Sequence, residues 1–163
     1  MKKLLLSLVF LALATVANAQ FLTGKCIRVV DGDTYIFATA KDTIKVRDAY
    51  MNTPEPKNSV CSKPQPYSTE SSDVAKKLLL GVEFRIRVIG TDVYGRKLAY
   101  AILNDIGYYH KYMISNGYSW SYRQSGANYK LQEEARSNKV GLWQDESAVN
   151  PSVWLKTYST HKK

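Results

Sequence analysis

Oxygen-bearing side chains that can bind a cation occur in two short segments of the sequence. Residues 31–34 have the sequence DGDT, and residues 52–55 have the sequence NTPE. Carboxylate, amide and carbonyl oxygens are the ligands that Ca²⁺ and Mg²⁺ prefer. An Asp-Gly-Asp segment alone is more typical of a tight turn between two strands. Because a proline-rigidified turn and the ends of two strands can bring both segments together, we predict a hard-cation site there.

Two arginines, Arg47 and Arg96, extend this chemistry to phosphate. A guanidinium binds phosphate oxygens through a planar fork of N–H groups and keeps its charge at any working pH. The alternative is that both are surface arginines in weak ion pairs, which is the commoner role of an isolated arginine. The sequence around each residue leaves both interpretations open.

The elements that must position these residues are predicted from hydrophobic periodicity. Apolar and polar residues alternate at 27–29, 35–37 and 44–47, which indicates three strands. Turn residues at 31–33 and 40–42 separate the strands, so a meander with tight turns is expected. The DGDT segment then joins the first strand to the second.

The rest of the chain alternates between loop, helix and strand signals. Residues 52–67 hold four of the five prolines, which disfavour helix and central strand, and long ordered loops tend to be functional. No repeat or linker is present, and the segment from Gln144 onward is weakly patterned. Helices are predicted from Ser68 or Thr69 to Gly81 and over 108–116 and 129–138, and strands over 83–89 and 97–103.

Length and composition predict one exported domain. The chain has 163 residues, of which 45% are hydrophobic and 23% charged, a balance that excludes disordered and collagen-like classes. Lys2 and Lys3 precede an apolar run that stops at Ala19, at a small-x-small cleavage pattern. A membrane anchor needs about 20 apolar residues, so we interpret residues 1–19 as a signal peptide. Residues 20–163 then form a single domain that starts at Gln20.

Charge and cysteine content leave several roles open. The formal net charge is +9, and two of the positive charges belong to the predicted signal peptide. This excess is compatible with solubility, with adhesion to an anionic envelope, or with attraction to polyanions such as nucleic acid. An oxidising compartment permits a Cys26–Cys61 disulfide, but the sequence does not decide between bridged and free thiols.

Several short motifs, taken in order, carry a resemblance to a known family. Between residues 20 and 163 the chain resembles the staphylococcal nuclease, or thermonuclease, family over nearly its whole length. The resemblance implies an α+β fold that is mainly β, an OB-type barrel of five strands with three helices. It also implies Ca²⁺-dependent cleavage of phosphodiester bonds in DNA and RNA. The motifs are VDGDT (30–34), VR (46–47) with NTPE (52–55), QPY (65–67), DVYGR (92–96) with LA (98–99), EAR (134–136) and GLW (141–143).

The same resemblance implies roles for individual site residues. Asp33 would bind Ca²⁺ directly, together with Asn52 and the carbonyl of Thr53, while Asp31 would lie near the ion without binding it. Glu55 would orient or deprotonate the attacking water. Arg47 and Arg96 would contact the scissile phosphate, and Tyr94, Tyr122 and Arg123 would line the substrate groove. Such roles are physically reasonable because hydrolysis increases negative charge on the phosphate oxygens.

Three residues depart from the family pattern. Asn52 stands where the family usually has aspartate, so the cation site loses one negative charge and weaker calcium binding is expected. Asp48 follows Arg47 where an apolar residue is usual, and we expect it either to pair with Arg47 or to be solvated. His110 replaces a common asparagine, and packing or hydrogen bonding is a better explanation of it than a role as a base.

The leading hypothesis is therefore an exported, calcium-dependent, monomeric nuclease acting on DNA and RNA, in the periplasm or the medium. A second hypothesis is an inactive OB-fold module that binds single-stranded nucleic acid, with Asn52 marking loss of the metal site. A third is an envelope or partner-binding protein that keeps only the fold. Cleavage, binding without cleavage, and no affinity for nucleic acid distinguish the three.

Overall fold

The structure is a computed structural model that describes residues 20–123 and 126–160. The predicted signal peptide, residues 1–19, lies outside the described residues. Among the helices described, none has the length and apolar character needed to cross a membrane. In chain order the elements are β1 (Gln20–Val29), β2 (Thr34–Thr39), β3 (Thr43–Asp48), β4 (Met51–Asn52), α1 (Ser68–Leu79), β5 (Glu83–Thr91), β6 (Lys97–Leu103), β7 (Gly107–Tyr108), α2 (Tyr109–Ser115), β8 (Trp120–Ser121), α3 (Gly126–Ser137), a 3₁₀ helix (Gly141–Gln144) and α4 (Pro151–Tyr158).

Five strands close into a barrel. β1, β2 and β3 form the antiparallel meander expected from the alternation, and β1 also pairs with β5, which pairs with β6. A parallel pairing between β3 and β6, with Arg47 opposite Leu98, completes the circuit. This closure pairs each of the five barrel strands on both sides and fixes the end of β3, where Arg47 lies.

Alternating residues of the strands fill the barrel. The rings of Tyr35, Phe37 and Phe84 pack together, with centroid separations of 5.0 to 6.4 Å. Ile86 and Val46 belong to the same buried cluster. Truncating one of these aromatic side chains to alanine typically costs about 3–5 kcal/mol, roughly half the stability of an ordinary domain.

The five-stranded barrel with helices confirms the predicted fold class, but the helix count differs. Residues 141–144 form a 3₁₀ helix and residues 151–158 form α4, in a segment for which no element was predicted. The Asn150 side chain accepts a hydrogen bond from the Ser152 N–H (2.9 Å), and Pro151 occupies the first turn, so α4 has a regular helix start. Cys26 and Cys61 are both buried and both free.

Candidate active site

The turn between β1 and β2 is held tightly against two helices. Its Gly32 leaves no space for a side chain, because a Cβ there would overlap the Ser71 hydroxyl of α1. The Gly32 carbonyl accepts a hydrogen bond from the Tyr109 hydroxyl of α2 (2.6 Å), and the Asp31 carboxylate accepts one from the Asp33 N–H (3.0 Å). The position of Asp33 is therefore set by contacts from both helices.

Asp33 is the residue at which the two oxygen-bearing segments meet. Its side chain is almost fully buried, with 2% of the residue exposed. One carboxylate oxygen accepts hydrogen bonds from the Thr34 hydroxyl (3.0 Å) and from Arg47, with which it forms an ion pair. The other accepts the Thr53 N–H (3.0 Å). The proximity predicted for residues 31–34 and 52–55 is thus present.

Arg47 lies between Asp33 and Asn52. One terminal nitrogen contacts the Asp33 carboxylate, and the other donates to the Asn52 amide oxygen at 2.7 Å. Burial opposes the charged guanidinium, but nearby carboxylates, Asp33 first among them, outweigh it and raise the pKa of Arg47. Two hard oxygens from different segments therefore converge on one positive charge.

Asn52 is positioned by backbone pairing and by its side chain. β4 pairs with β8, which places Asn52 opposite Trp120, and the Asn52 amide nitrogen donates to the Ser152 hydroxyl at 3.1 Å. Just beyond β8, the Tyr122 N–H donates to the Tyr50 carbonyl at 2.9 Å. This pairing brings the chain that carries Tyr122 alongside the chain that carries Asn52.

Glu55 is tied to the site through its backbone. Its N–H donates to the Gln65 side-chain oxygen (3.1 Å), and its carbonyl accepts the Gln65 N–H (2.8 Å). Among the described residues, the Glu55 carboxylate has no hydrogen-bond partner. Burial and the nearby Asp33 raise the pKa of Glu55 to about 7, against the opposing charges of Arg47 and Arg96.

Arg96 and Tyr94 belong to the turn between β5 and β6. The Asp92 carboxylate accepts the Arg96 side-chain Nε–H (2.7 Å) and the Tyr94 N–H (3.0 Å), while Gly95 provides the positive φ of 78°. Tyr94 is 82% exposed, and the Arg96 guanidinium lies 5.5 Å from the centroid of its ring. This turn thus places an exposed aromatic ring next to Arg96, whose positive charge favours the ionised form of Glu55.

The predicted site residues fall into two groups. A continuous hydrogen-bond network joins Asp31, Asp33, Arg47, Asn52 and Thr53. Glu55 and Arg96 lie close enough to this network to interact with it through their charges. Tyr94, Tyr122 and Arg123 make no hydrogen bond to the network within the described part of the chain; the Arg123 guanidinium lies 5.8 Å from the Tyr122 ring centroid.

The donor set fits a hard cation with few protein ligands. No cluster of three or more His, Cys, Asp and Glu side chains arranged to hold a metal occurs in residues 20–123 and 126–160. The Asp33 carboxylate and the Asn52 amide oxygen nevertheless already converge on a positive charge, that of Arg47. Residues of this kind suit Ca²⁺, with water supplying further ligands.

Asp48 corrects a sequence expectation, and His110 has a structural role. Asp48 is fully buried and forms no ion pair with Arg47 within the described residues; one oxygen accepts the Tyr50 N–H (3.0 Å). Asp48 is therefore neither solvated nor ion-paired within the described residues, and burial raises its pKa to about 7. His110 packs among three tyrosine rings and burial lowers its pKa to about 4, which agrees with packing rather than catalysis.

Two contributors to the site were missed in the sequence. Gln65 belongs to the QPY motif and holds both backbone groups of Glu55, a role for which its place in a proline-rich loop was the only signal. Ser152 holds the amide of Asn52 from a distance of 100 residues in the chain. Local spacing carries no information about such a contact.

Comparison with known proteins finds relatives that cover most of this chain. A family model described as staphylococcal nuclease homologue matches residues 45–145. An uncharacterized endonuclease of Escherichia coli O157:H7 is 31% identical over 80% of this chain and 83% of its own length. A micrococcal nuclease of Shigella flexneri is 32% identical (90% of this chain, 87% of its own), and a thermonuclease of Staphylococcus hyicus 31% (80% of each). The matches confirm the resemblance found in the sequence and support a nuclease function: this chain belongs to the staphylococcal nuclease family.

Proposed function

We propose that this protein is an exported, Ca²⁺-dependent nuclease that hydrolyses phosphodiester bonds of DNA and RNA. The observation that carries the proposal is the network in which Asp33 and Asn52 share the Arg47 guanidinium, next to Glu55. This arrangement combines a cation-binding oxygen set, a fixed positive charge and a carboxylate with an elevated pKa. Each of these functions can lower the barrier to hydrolysis of a phosphate diester.

Arg47 and Arg96 bind the phosphate in this proposal. Each presents N–H groups to the non-bridging oxygens, where negative charge grows as water attacks. Each terminal nitrogen of Arg47 carries a second N–H besides the one bonded to Asp33 or Asn52. Since Arg47 already bonds Asp33 and Asn52, its guanidinium is oriented before substrate arrives. Arg96 is oriented in the same way by Asp92. Preorientation lets both residues stabilise the transition state without a further cost in ordering.

Glu55 accepts the proton of the attacking water. A general base works best when its pKa lies near the working pH, and burial beside Asp33 raises the pKa of Glu55 to about 7. Its carboxylate has no hydrogen-bond partner among the described residues, so both oxygens are available to water. Gln65 holds the backbone of Glu55, which limits the positions that the carboxylate can reach.

Ca²⁺ would be held by the Asp33 carboxylate, the Asn52 amide oxygen and the Thr53 carbonyl. When bound, the ion neutralises charge on the phosphate and makes nearby water more acidic. The substrate groove would continue over Tyr94 on one side and over Tyr122 and Arg123 on the other. Exposed rings beside guanidiniums suit single-stranded substrate, because bases stack on the rings while the cations follow the backbone.

Purified protein starting at Gln20, incubated with denatured DNA and with RNA, tests the proposal. With millimolar Ca²⁺ we expect cleavage of both, and with a chelator none. Glu55→Gln, which keeps the size of the side chain but cannot take a proton, should abolish turnover while leaving substrate binding intact. Binding without cleavage under any divalent ion would favour the inactive single-strand-binding module instead.

Export and oligomeric state are further parts of the proposal. Residues 1–19 have the pattern of a signal peptide, so the protein would act in the periplasm or the medium, and we propose that it acts as a monomer. Mass spectrometry of the exported form should find Gln20 at its N-terminus. An N-terminus at Met1 in the exported form would contradict the cleavage site. Size-exclusion chromatography with light scattering should give the monomer mass.

A further inference from the structure

The end of the described chain lies along the loop that carries Glu55. We call residues 149–160 the C-terminal strap and residues 53–67 the catalytic loop. The Ser62 N–H donates to the Tyr158 carbonyl (2.9 Å), and the Trp154 indole N–H donates to the Lys63 carbonyl (3.0 Å). The Lys63 ammonium also lies 5.0 Å from the Tyr158 ring centroid. These contacts fasten the strap to the far half of the loop.

Two other contacts connect the strap to the site itself. The Ser152 hydroxyl accepts a hydrogen bond from the Asn52 amide nitrogen at 3.1 Å. The Val149 carbonyl accepts one from the Gln65 amide nitrogen at 2.6 Å, and Gln65 in turn holds the Glu55 backbone. The strap therefore reaches both the residue that faces Arg47 and the residue proposed as the base.

We propose that Ser152 and Gln65 are positioning residues, through which the C-terminal strap sets the orientation of the Asn52 amide and the place of Glu55. The inference deepens the proposed function and rests on it. Neither residue would touch the reacting atoms. Ser152 would act through Asn52, and Gln65 would act through Glu55. Ser152 would be the specific partner that an asparagine at position 52 requires.

The need for Ser152 follows from the chemistry of an amide. A carboxylate has two equivalent oxygens, whereas an amide has an oxygen at one end and a donor at the other, and only the oxygen can accept from Arg47 or bind a cation. A rotation of about 180° about the last torsion would turn the NH₂ group towards the guanidinium. Because Ser152 accepts from that NH₂ group, it favours the orientation in which the oxygen faces Arg47.

Gln65 transmits the position of the strap to Glu55. Its side-chain oxygen and its N–H hold the two backbone groups of Glu55, so its side-chain nitrogen remains for the strap. Gln65 is 5% exposed, and a buried amide that has lost its acceptor costs free energy. The loop is thereby held at Glu55 through Gln65 and at Ser62 and Lys63 through direct bonds.

A double-mutant cycle between Ser152→Ala and Asn52→Asp tests the role of Ser152. With Asn52 present, loss of one hydrogen bond should lower kcat/KM about five- to tenfold. In the Asn52→Asp background the same substitution should change kcat/KM by less than about twofold, since a carboxylate needs no orientation. An equal loss in both backgrounds would show a general structural role and overturn the proposal.

A matched control lies in the same helix. Thr157→Ala removes a hydroxyl whose hydrogen bond among the described residues goes to the Val153 carbonyl of α4 itself. We expect it to leave kcat/KM and the calcium requirement unchanged in either background. Ser152→Thr, which keeps the hydroxyl, should retain activity, whereas Ser152→Val, of nearly the same shape as threonine, should not. Full activity of Ser152→Val would contradict the hydrogen-bonding role.

A second measurement does not depend on nuclease activity. In the free protein, NMR of the side-chain amide of Asn52 and the backbone amide of Glu55 should show slow solvent exchange. Ser152→Ala should speed exchange of the Asn52 amide at least about tenfold, and Gln65→Ala should do so for Glu55. Unchanged exchange would overturn the positioning roles even in an active enzyme. Loss of protection in a protein that cleaves nothing would uphold the contacts and refute the nuclease function.

Discussion

Arg47 joins the two segments from which the site is built. Its guanidinium contacts Asp33, which lies in the turn between β1 and β2, and Asn52, which lies in β4. The planar fork of arginine holds two donor nitrogens at a fixed separation, one for each acceptor, whereas a lysine ammonium would have to place its donors from a single nitrogen on a flexible stem. The geometry of the guanidinium should therefore matter as much as its charge.

Replacing Arg47 tests this distinction. Arg47→Ala should lower kcat by roughly 10²–10³-fold or more, the usual effect of losing a donor to a developing oxyanion, and Arg96→Ala should have an effect of similar size. Arg47→Lys should recover only a small part of the loss. Steady-state kinetics on a single-stranded oligonucleotide would measure the change, with Arg85→Lys, on the exposed face of β5, as the control. Wild-type turnover in Arg47→Lys would show that charge alone suffices.

Asn52→Asp should lower the calcium requirement. With Asp33 as the one proposed carboxylate ligand, calcium should bind with a dissociation constant on the order of 10⁻⁴–10⁻³ M. A second carboxylate adds negative charge at the site and should shift half-maximal activity to lower calcium, with a smaller effect on the saturated rate. Calorimetric titration of both proteins provides a reading without substrate. Equal calcium affinity would mean that residue 52 is not a ligand.

At the scale of elements, α2 carries a buried histidine, His110, that should make the free energy of unfolding decrease at acid pH. Burial lowers the pKa of His110 to about 4 from its usual value of 6.5, so the folded protein binds fewer protons than the unfolded chain between these values. The contribution of neutral His110 to the free energy of unfolding is complete above about pH 6.5 and is lost as the pH falls towards about 4. The loss attributable to His110 is about 2–3 kcal/mol at about pH 4.5.

His110→Asn should remove this acid sensitivity. Asparagine has no proton to bind in this range, so the unfolding free energy of the variant should fall less between about pH 7 and about pH 4.5 than that of the wild type. Urea titrations at both pH values give the two changes, and any constant packing loss from the smaller side chain cancels. Parallel pH profiles for the two proteins would show that His110 does not titrate in this way.

The barrel strands and α1 could be predicted from the sequence because their signals are local. Alternation at 35–37 and 44–47 marks β2 and β3, and Gly81 lies close after the end of α1. The two-residue strands β4 and β8 could not, because Met51 and Asn52 are strand residues only through pairing with 120–121. Asn150-Pro151, a cap followed by proline, indicates the start of α4, but its 8 residues are too few for a clear helical periodicity.

The residues of the candidate site also divide into those with local sequence signals and those placed by contacts between distant segments. Asp33, Arg47 and Glu55 were identified from residue type and motif order, and the structure brings them close together. The bond from Asn52 to Ser152 spans 100 residues and depends on how α4 packs. The burial of Asp48 depends on barrel closure, which no single strand reveals. Chemistry carried by local motifs is thus predictable, and its orientation by distant segments is not.

At the scale of the whole molecule, the lysines and arginines outnumber those that form ion pairs with carboxylates. The chain has 23 lysines and arginines against 14 acidic residues. In the described part of the chain, four basic side chains form ion pairs with carboxylates. Most of the positive charge is therefore available to attract a polyanion, so binding of nucleic acid should weaken as salt is added.

Arg123 offers a way to locate part of that attraction. It is exposed beside the Tyr122 ring, and in the proposed groove its guanidinium would contact a phosphate of single-stranded substrate. Each such contact contributes about 0.7 to the slope of log affinity against log salt.

Binding of a fluorescent oligonucleotide in chelator, measured over a salt series, should therefore show a slope shallower by about 0.7 for Arg123→Ala. Tyr122→Ala should weaken binding with an unchanged slope, because stacking releases no counterions. Lys139→Ala removes a cation already paired with Glu146 at 2.8 Å and should alter neither quantity. A wild-type slope in Arg123→Ala would place this arginine outside the path of the nucleic acid.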